Sequence, residues 1–325
     1  MNWAWCCFAS GRMDLPIDNV RRAMERGSEG AVAPIDLHVA RPLLGVGLAV
    51  MATLLFASHD AVSKHLLATY DVPLVAAIRY VVHTMLMVVV LAPRRGVDMV
   101  KVTRKSLVAV RSVCLVIATL FMGLALQLMP IAETTAIIYL SPILVVLLAR
   151  PFLGETIGAL GWIGAIAGFS GVLLIVRPGG GLDPLGVFYA LCNVGVTVAY
   201  YLLSRVLAKS EKTLALLFYS ALAGAVLFGL ATPWFWFGTM PSALDMLMFV
   251  SLGLFAGIGH YCFTAAYRFA PASLLAPMSY THLIWAGLLG WLVFAQVPDA
   301  IGLTGMAVIG LAGVMTALRT LPKRS

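Results

Sequence analysis

The chain has 325 residues, of which 61% are hydrophobic and 11% are charged, and its mean hydropathy is +0.97. Soluble globular chains contain about 45–50% apolar and about 25% charged residues, so this composition excludes a water-soluble globule. We expect one integral membrane domain. The net charge of +8 does not indicate nucleic-acid binding, because the basic residues lie in loops between apolar stretches.

The segment 1–42 differs from the rest of the chain. It contains Arg21, Arg22 and Arg26 together with acidic residues, and it lacks the long apolar core of a secretory signal. We expect a disordered cytoplasmic tail, with Met24 as an alternative start that would remove the segment 1–23. The five cysteines show no metal-ligand or disulfide spacing, so we predict no metal and no cofactor. We interpret Cys6-Cys7 as a chance pair in preference to a lipidation site.

Ten stretches of the chain are long and apolar enough to cross a hydrocarbon core, which requires about 20 residues of α-helix. Turns rich in proline and glycine separate them, and the Pro-Gly-Gly-Gly run at 178–181 is the expected boundary between two halves. The predicted spans cover 43–66, 73–92, 107–126, 131–149, 160–176, 185–203, 214–232, 247–267, 273–295 and 301–319.

The distribution of basic residues predicts the orientation. With the N-terminus in the cytoplasm, only Lys64, at the outer end of span 1, and Arg177 lie on the outer side among the 22 basic residues, and only Arg79 and Arg111 lie deeper within spans. All other basic residues then face the cytoplasm, as the positive-inside rule requires. We therefore predict ten spans in a plasma or inner membrane, with both termini in the cytoplasm.

The chain repeats itself without gaps, at the fixed offset that carries Pro130 onto Pro271, which we call the repeat shift. The same shift matches Tyr139 with Tyr280, Leu160 with Ile301, Gly161 with Gly302, Gly164 with Gly305, and Ser63-Lys64 with Ser204-Arg205. Because each copy has an odd number of spans, the copies should be inverted in the membrane, as in carriers that bind substrate at the midplane. The predicted repeats are 43–177 and 185–319, joined by a linker at 178–184 and followed by a cytoplasmic tail at 320–325.

A family resemblance lies in the segment LALQLMPIAETTAIIYLSPILVVLLARPFLGE at 124–155. A turn that ends in a proline, the mid-span Pro142 and the run Leu153-Gly154-Glu155 are its marks. The segment resembles the first repeat of the drug/metabolite transporter superfamily, of the EamA type, and GWIGAIAGFSGVLLIV follows it as in that family. The second half departs from the pattern, since Phe294-Ala295-Gln296 replaces Leu-Gly-Glu and Pro277 stands in place of a mid-span proline. The resemblance implies an all-helical ten-span carrier of a small organic molecule, and it leaves the substrate open.

Polar side chains within the spans are the candidates for the transport path, because they are costly in hydrocarbon. Two stripes recur at helical spacing: Tyr189, Asn193, Val196 and Tyr200 in span 6, and His260, Thr264 and Tyr267 in span 8. Span 9 carries Ser279, Tyr280, Thr281, His282 and Trp285. The predicted substrate-binding residues are His83, Tyr139, Asn193, Tyr200, His260, Tyr280, His282 and Trp285. The alternative is that these side chains only join neighbouring helices.

Three charged residues are candidates for coupling or gating. Asp60 and Lys64 are one turn apart in span 1 and could pair along the helix, and Arg79 lies about two turns into span 2. Arg79 could meet Asp60 or Glu133, bind an anionic group or snorkel outward. We interpret Arg111, near the inner end of span 3, as a snorkelling anchor. The glycines of spans 5 and 10 predict that these two helices pack as a scaffold.

These features favour a secondary transporter of a small organic metabolite, such as an amino acid or a ring-containing vitamin, that works by alternating access. A membrane-embedded lipid- or prenyl-modifying enzyme is disfavoured because no two acids lie close together in the spans. A receptor is disfavoured because we expect a receptor to carry a signalling domain or a large loop, and the sequence shows neither. A pore-type channel stays open as an alternative. No P-loop is present, so ATP drive within this chain is excluded. Proton coupling, facilitated exchange and a homodimer are all left open.

Overall fold

In the computed structural model, the described residues are 42–96, 100–153, 159–177, 181–207, 210–235, 240–266, 269–270, 275 and 277–319. The regular structure of this part of the chain consists of helices without strands. The two predicted tails, apart from Pro42, lie outside the described residues, as do Gly154, Glu155 and Tyr267.

The helices follow the predicted spans closely. They are α1 (Pro42–Leu66), α2 (Val72–Arg95), α3 (Lys105–Leu128), α4 (Ile131–Ile138), α5 (Leu140–Leu153), α6 (Ala159–Val176), α7 (Pro184–Leu207), α8 (Thr213–Phe235), α9 (Ala243–Ala266), a 3-10 turn (Pro277–Tyr280), α10 (Thr281–Phe294) and α11 (Ala300–Arg319). Six of these, α1–α3 and α7–α9, are long and apolar enough to cross a membrane within the described part of the chain. The other four predicted spans coincide with shorter apolar segments.

Several helices begin at side chains that accept their free backbone N–H groups. Asp183 accepts from Leu185 and Gly186 at the start of α7, and Asp299 accepts from Gly302 at the start of α11. The Gly302 N–H and the Arg177 guanidinium together hold the pKa of Asp299 below its usual value. Such caps satisfy donors that a helix cannot bond internally, so they fix where each helix starts.

The helices pack in pairs that join the two halves of the chain. The most extensive contacts are α1 with α9, α2 with α8, α3 with α7, and α6 with α11. The repeat shift turns α1 into α7 and relates α9 to α3, so the first and third pairs are images of each other. The same shift maps α2 onto α8 and α6 onto α11, and it maps α5 onto α10 residue for residue. The packing therefore repeats the internal symmetry of the sequence.

Close contact between α6 and α11 confirms the scaffold that the glycines predicted. A Cβ on Gly171 would lie 2.7 Å from the Gly305 carbonyl oxygen, and a Cβ on Gly305 would lie 2.6 Å from the Gly171 oxygen. Only glycine lets the two backbones approach in this way. The pair lies beside a buried cluster that contains Tyr139, Tyr280 and Ile309, so the scaffold supports the centre of the molecule.

Candidate functional site

Two tyrosines related by the repeat lie at interruptions of the helices. Tyr139 follows the end of α4 with φ −66° and ψ −5°, and Tyr280 closes the 3-10 turn before α10 with φ −74° and ψ −12°. The predicted spans 131–149 and 273–295 coincide with the apolar segments Ile131–Val145 and Met278–Phe294, and each tyrosine marks a local change of helix geometry within its segment. Pro142 has no N–H to donate to the carbonyl of Ile138, and Pro277 is the first residue of the 3-10 turn, where a missing N–H is tolerated.

The two tyrosine rings are in contact. Their centroids lie 5.1 Å apart, and the Tyr139 hydroxyl donates to the carbonyl of Ser279 at 2.8 Å. The His282 ring lies 5.9 Å from that of Tyr139. All three side chains are buried. The structure thus brings together three of the predicted substrate-binding residues at the junction of two interrupted helices.

Asp60 lies beside this group, and the residue is 2% exposed. One carboxylate oxygen lies 3.0 Å from Nδ1 of His59, and the other lies 3.3 Å from Nε2 of His282. The second contact is within ion-pair distance, but its angles are not those of a hydrogen bond. Because α1 carries Asp60 and α10 carries His282, the carboxylate connects the two halves of the chain.

Arg79 joins this group through His59. Its guanidinium lies 3.4 Å from Nε2 of His59, donates to the Thr119 hydroxyl at 3.1 Å and stacks 4.1 Å from the centroid of the Tyr80 ring. The Tyr80 and Thr119 hydroxyls lie 2.7 Å apart. Arg79 is half-buried in the bundle and therefore does not snorkel. Among the described residues its guanidinium contacts the His59 imidazole, the Thr119 hydroxyl and the Tyr80 ring, in place of Asp60 or Glu133.

Two small cavities adjoin this polar group and share His59, Arg79 and Thr119. The first, which we call the Asp60 cavity, is lined by His59, Asp60, Ser63, Leu67, Val72, Val75, Ala76, Arg79, Thr119, Met122, Gly123 and Leu126. The second, the His83 cavity, is lined by Phe56, His59, Arg79, Tyr80, His83, Leu115, Thr119, Ala221, Ala256 and His260. Their free volumes are about 40 and about 30 Å³. Each can hold a few water molecules, and neither holds an organic metabolite without expansion.

The remaining predicted residues are distributed around this centre. His83 and His260 both line the His83 cavity, and their ring centroids lie 6.1 Å apart. Thr264, which the span 8 stripe placed on the path, is exposed on the surface of the helix bundle. Trp285 is half-buried, and its indole N–H is buried without a hydrogen-bond partner among the described residues. Of the two described residues of the span 8 stripe, His260 lines a cavity and Thr264 does not.

Three predicted residues make contacts between helices. The Lys64 ammonium donates to the carbonyls of Leu126 and Met129 at 2.7 and 2.6 Å, so it caps α3 and does not pair with Asp60. The Asn193 amide donates to the Ala118 carbonyl, which joins α7 to α3. The Tyr200 hydroxyl accepts from Arg111 at 2.7 Å. These contacts agree with the alternative that polar side chains in the spans join neighbouring helices.

The interpretation of Arg111 as a snorkelling anchor is wrong. The residue is 1% exposed and is enclosed by protein. His59 and Thr119, which complete the polar group, were not predicted from the sequence. The signal for His59 was present, since it adjoins Asp60 within an apolar span. Thr119 carries no such signal, because threonine is common in membrane helices.

A family model for the EamA-like transporter family matches the chain twice, at residues 43–177 and 184–318. The chain belongs to the EamA-like transporter family. It is therefore a multi-span membrane protein of a transporter family, and its described helices agree with that assignment. Each EamA match supplies one of the two tyrosines and one partner in each of the four most extensive helix pairs.

Several EamA-family relatives are named as transporters. The chain is 27% identical over 280 residues to the pseudopaline exporter CntI of Pseudomonas aeruginosa, covering 82% of this chain and 94% of the relative. It is 23% identical to an S-adenosylmethionine uptake transporter of Rickettsia bellii, covering 82% and 90%. A riboflavin transporter of Rhizobium johnstonii is 27% identical over 57% of this chain and 61% of its own length. These relatives carry different molecules, and one exports while another imports.

A solved crystal structure supports the fold. It aligns with a TM-score of 0.61 at 23% identity, covering 85% of this chain and 96% of the other. At this identity the similarity concerns the fold alone.

Proposed function

We propose that this chain is a secondary carrier that moves a small organic metabolite across a plasma or inner membrane by alternating access. One observation carries the proposal: repeat-related Tyr139 and Tyr280 touch at 5.1 Å where two helices are interrupted. Residues exchanged by a twofold axis can touch only beside that axis. If the repeats are inverted, the axis lies in the membrane plane, so the tyrosines mark the midplane, where carriers of this kind bind substrate.

The proposed topology has ten spans in two inverted five-span repeats, with both termini in the cytoplasm. The exchange of helix pairs under the repeat shift supports the twofold relation. The basic residues of the loops support the orientation. Interrupted helices at equivalent positions of both repeats are typical of carriers, because their free backbone groups can bind a substrate or an ion.

The substrate would bind between aromatic rings and a charged group. Tyr139, Tyr280 and His282 offer ring faces, and Asp60 offers a carboxylate 3.3 Å from His282. This set suits a ring-bearing or cationic metabolite, such as an amino acid or a vitamin. The cavities are smaller than such a molecule, so the bundle must open around it. Proton exchange at Asp60 and its two imidazoles would supply coupling, and facilitated exchange is the alternative.

The geometry of the site disfavours catalysis and a pore. Asp60 is the one acid that the described residues place there, which disfavours the metal-diphosphate chemistry of a prenyl transferase. The two cavities beside Asp60 are each too small for an organic metabolite, which favours a site that opens around its substrate over a permanently open pore there.

The test is a metabolite comparison of cells with and without the protein, in the cytosol and in the medium. We expect a few unmodified metabolites to shift between the two compartments. Asp60→Asn and Tyr280→Leu should each reduce that shift about tenfold or more, since both remove groups at the proposed site. The matched controls are Asp299→Asn, at the surface, and Tyr261→Leu, whose side chain is 72% exposed on α9. Chemically altered metabolites would indicate an enzyme, and flux without saturation or counterflow would indicate a pore.

A further inference from the structure

Arg111 is the largest fully buried side chain among the described residues, with 1% exposure. It lies six residues after the start of α3, which places it about 9 Å along the helix axis from the end that carries Lys101, Arg104 and Lys105. That end is cytoplasmic in the proposed topology. A cation at this depth is costly unless protein groups solvate it, so a buried arginine here is a candidate for a functional role.

Its guanidinium joins three helices. Nε donates to the Ser204 hydroxyl at 2.6 Å, and Nη2 donates to the Tyr200 hydroxyl at 2.7 Å, both on α7. Nη1 donates to the Leu216 carbonyl at 3.0 Å and to the Ser220 hydroxyl at 2.8 Å, both on α8. The guanidinium also lies 4.5 Å from the centroid of the Tyr200 ring. We call these four acceptors and Arg111 the Arg111 cluster.

The Arg111 cluster has an image in the first repeat. The repeat shift relates Tyr200, Ser204, Leu216 and Ser220 to His59, Ser63, Val75 and Arg79. All four of these image residues line the Asp60 cavity. The image of Arg111 itself is Leu252, which has no polar group to fill the space. The same four helix positions therefore enclose a cavity in one half and a guanidinium in the other.

The two sites also lie at matching depths from opposite surfaces. Asp60 is six residues, or about 9 Å, from the C-terminal end of α1, and Arg111 is the same distance from the N-terminal end of α3. In the proposed topology these ends face outside and inside. The outer side thus has a cavity beside Asp60, and at the equivalent position on the cytoplasmic side the Arg111 guanidinium fills the space.

We propose that Arg111 is the latch of the cytoplasmic gate, a positioning residue that holds α3, α7 and α8 together in the conformation in which the Asp60 cavity is formed on the outer side. This inference rests on the carrier proposed above. α3 belongs to the first repeat and α7 and α8 belong to the second, so breaking the cluster would let the repeats separate at the cytoplasmic side. In a two-state carrier, opening that side closes the outer side.

The test uses two thiol reporters in separate variants. Cys114 is partly buried one turn from Arg111 and reports on the inner side when Cys6, Cys7, Cys192 and Cys262 are replaced by serine. Ser63→Cys, in a background where Cys114 is also serine, reports on the Asp60 cavity. Membrane-impermeant maleimide is applied to right-side-out and to inside-out vesicles, and the labelling rate is measured for each.

Arg111→Met should raise the rate at Cys114 from the cytoplasmic side about tenfold and lower the rate at Ser63→Cys from outside about threefold. General loosening of the fold would raise both rates, so the opposite signs separate a latch from a merely structural arginine. Arg177→Met, at the outer surface, is the matched control and should change neither rate. If Arg111→Met does not fold, Ser204→Ala and Ser220→Ala each remove one acceptor and should produce the same signs at smaller size.

Unchanged rates in the folded variants, or a rise at both reporters, would overturn the latch. The measurement needs no substrate, so it is separable from the carrier proposal. Counterflow in the wild type with unchanged labelling would reject the latch alone. Opposite changes in labelling without any metabolite flux would retain the gate and reject the carrier.

Discussion

Asp60 shows how this membrane domain holds a carboxylate away from water. An acid within a membrane helix costs at most about 2.5–3.5 kcal/mol on insertion scales, the value at the helix centre. Here the residue is 2% exposed and its side chain lies between the imidazoles of His59 and His282. His59 in turn lies against Arg79. The carboxylate therefore has one imidazole beside it from α1 and one from α10, and Arg79 of α2 contacts the first of them.

Ala295 is the one non-glycine residue with a positive φ among the described residues, at 53°. It ends α10 in the left-handed conformation, and its image in the first repeat is Gly154. A left-handed alanine costs about 1–2 kcal/mol, and glycine recovers most of this apart from its larger unfolded-state entropy. We expect Ala295→Gly to raise the free energy of unfolding by about 0.5–1 kcal/mol, measured by thermal unfolding in detergent.

The control for this prediction is Ala307→Gly, at an exposed position within α11. There the same substitution should lower stability by up to about 1 kcal/mol, because glycine is unfavourable inside a helix. A loss of stability at both positions would contradict the interpretation of Ala295 as strained.

Sequence and structure agree unevenly for the residues of the candidate site. Tyr139, Tyr280 and His282 were predictable, because the repeat and the cost of polar groups in lipid single them out. Lys64 was misread, because spacing along one helix gave it Asp60 as a neighbour while the carbonyls of another helix lay within its reach. Arg111 was misread for a similar reason: depth along a helix does not reveal which face meets protein.

At the scale of elements, the ends of helices explain more than their lengths. α5 and α10 cover equivalent residues, and each begins directly after a repeat-related tyrosine. The sequence predicted the apolar stretches but not the change of helix geometry at the tyrosine in two of them. Hydropathy does not report such a local change, and the nearby prolines, Pro142 and Pro277, are the sequence signal for it.

Gly313 on α11 lies against the Tyr280 phenol, and a Cβ there would overlap the ring. We expect Gly313→Ala to displace Tyr280 and to lower the free energy of unfolding by about 1–3 kcal/mol, the usual cost of overpacking. Thermal unfolding measures the change. Gly310→Ala is the matched control on the same helix, because no atom lies within 4 Å of its added Cβ. That variant should be neutral or stabilised.

A double variant identifies the cause of the Gly313 effect. In a Tyr280→Leu background the ring is absent, so Gly313→Ala should cost much less than in the wild type. An equal cost in both backgrounds would mean that Gly313 serves another contact and that Tyr280 is not held by α11.

At the scale of the whole molecule, the two halves are interleaved. All four of the most extensive helix pairs join one half to the other. The sequence revealed the repeat and the approximate spans, since both depend on local composition. It did not reveal which helices pair, because packing in lipid depends on small shape differences between apolar surfaces.

Interleaving predicts how separated halves behave. A chain cut after residue 180 yields two pieces that correspond to the two EamA matches. Each piece alone leaves its main packing faces without a partner, so we expect neither to accumulate as a stable protein. Produced together, the pieces should copurify in detergent, because each pair, such as α3 with α7, can still form. The measurement is affinity capture through a tag on one piece.

The control for the split is a tagged first piece produced with an untagged copy of itself, which lacks the complementary helices and should not copurify. A single piece that purifies alone as a stable helical monomer would contradict interleaving, since its core would then lie within one half. That outcome would also mean that the contact between Tyr139 and Tyr280 is not needed to hold the core together, because the contact requires both halves.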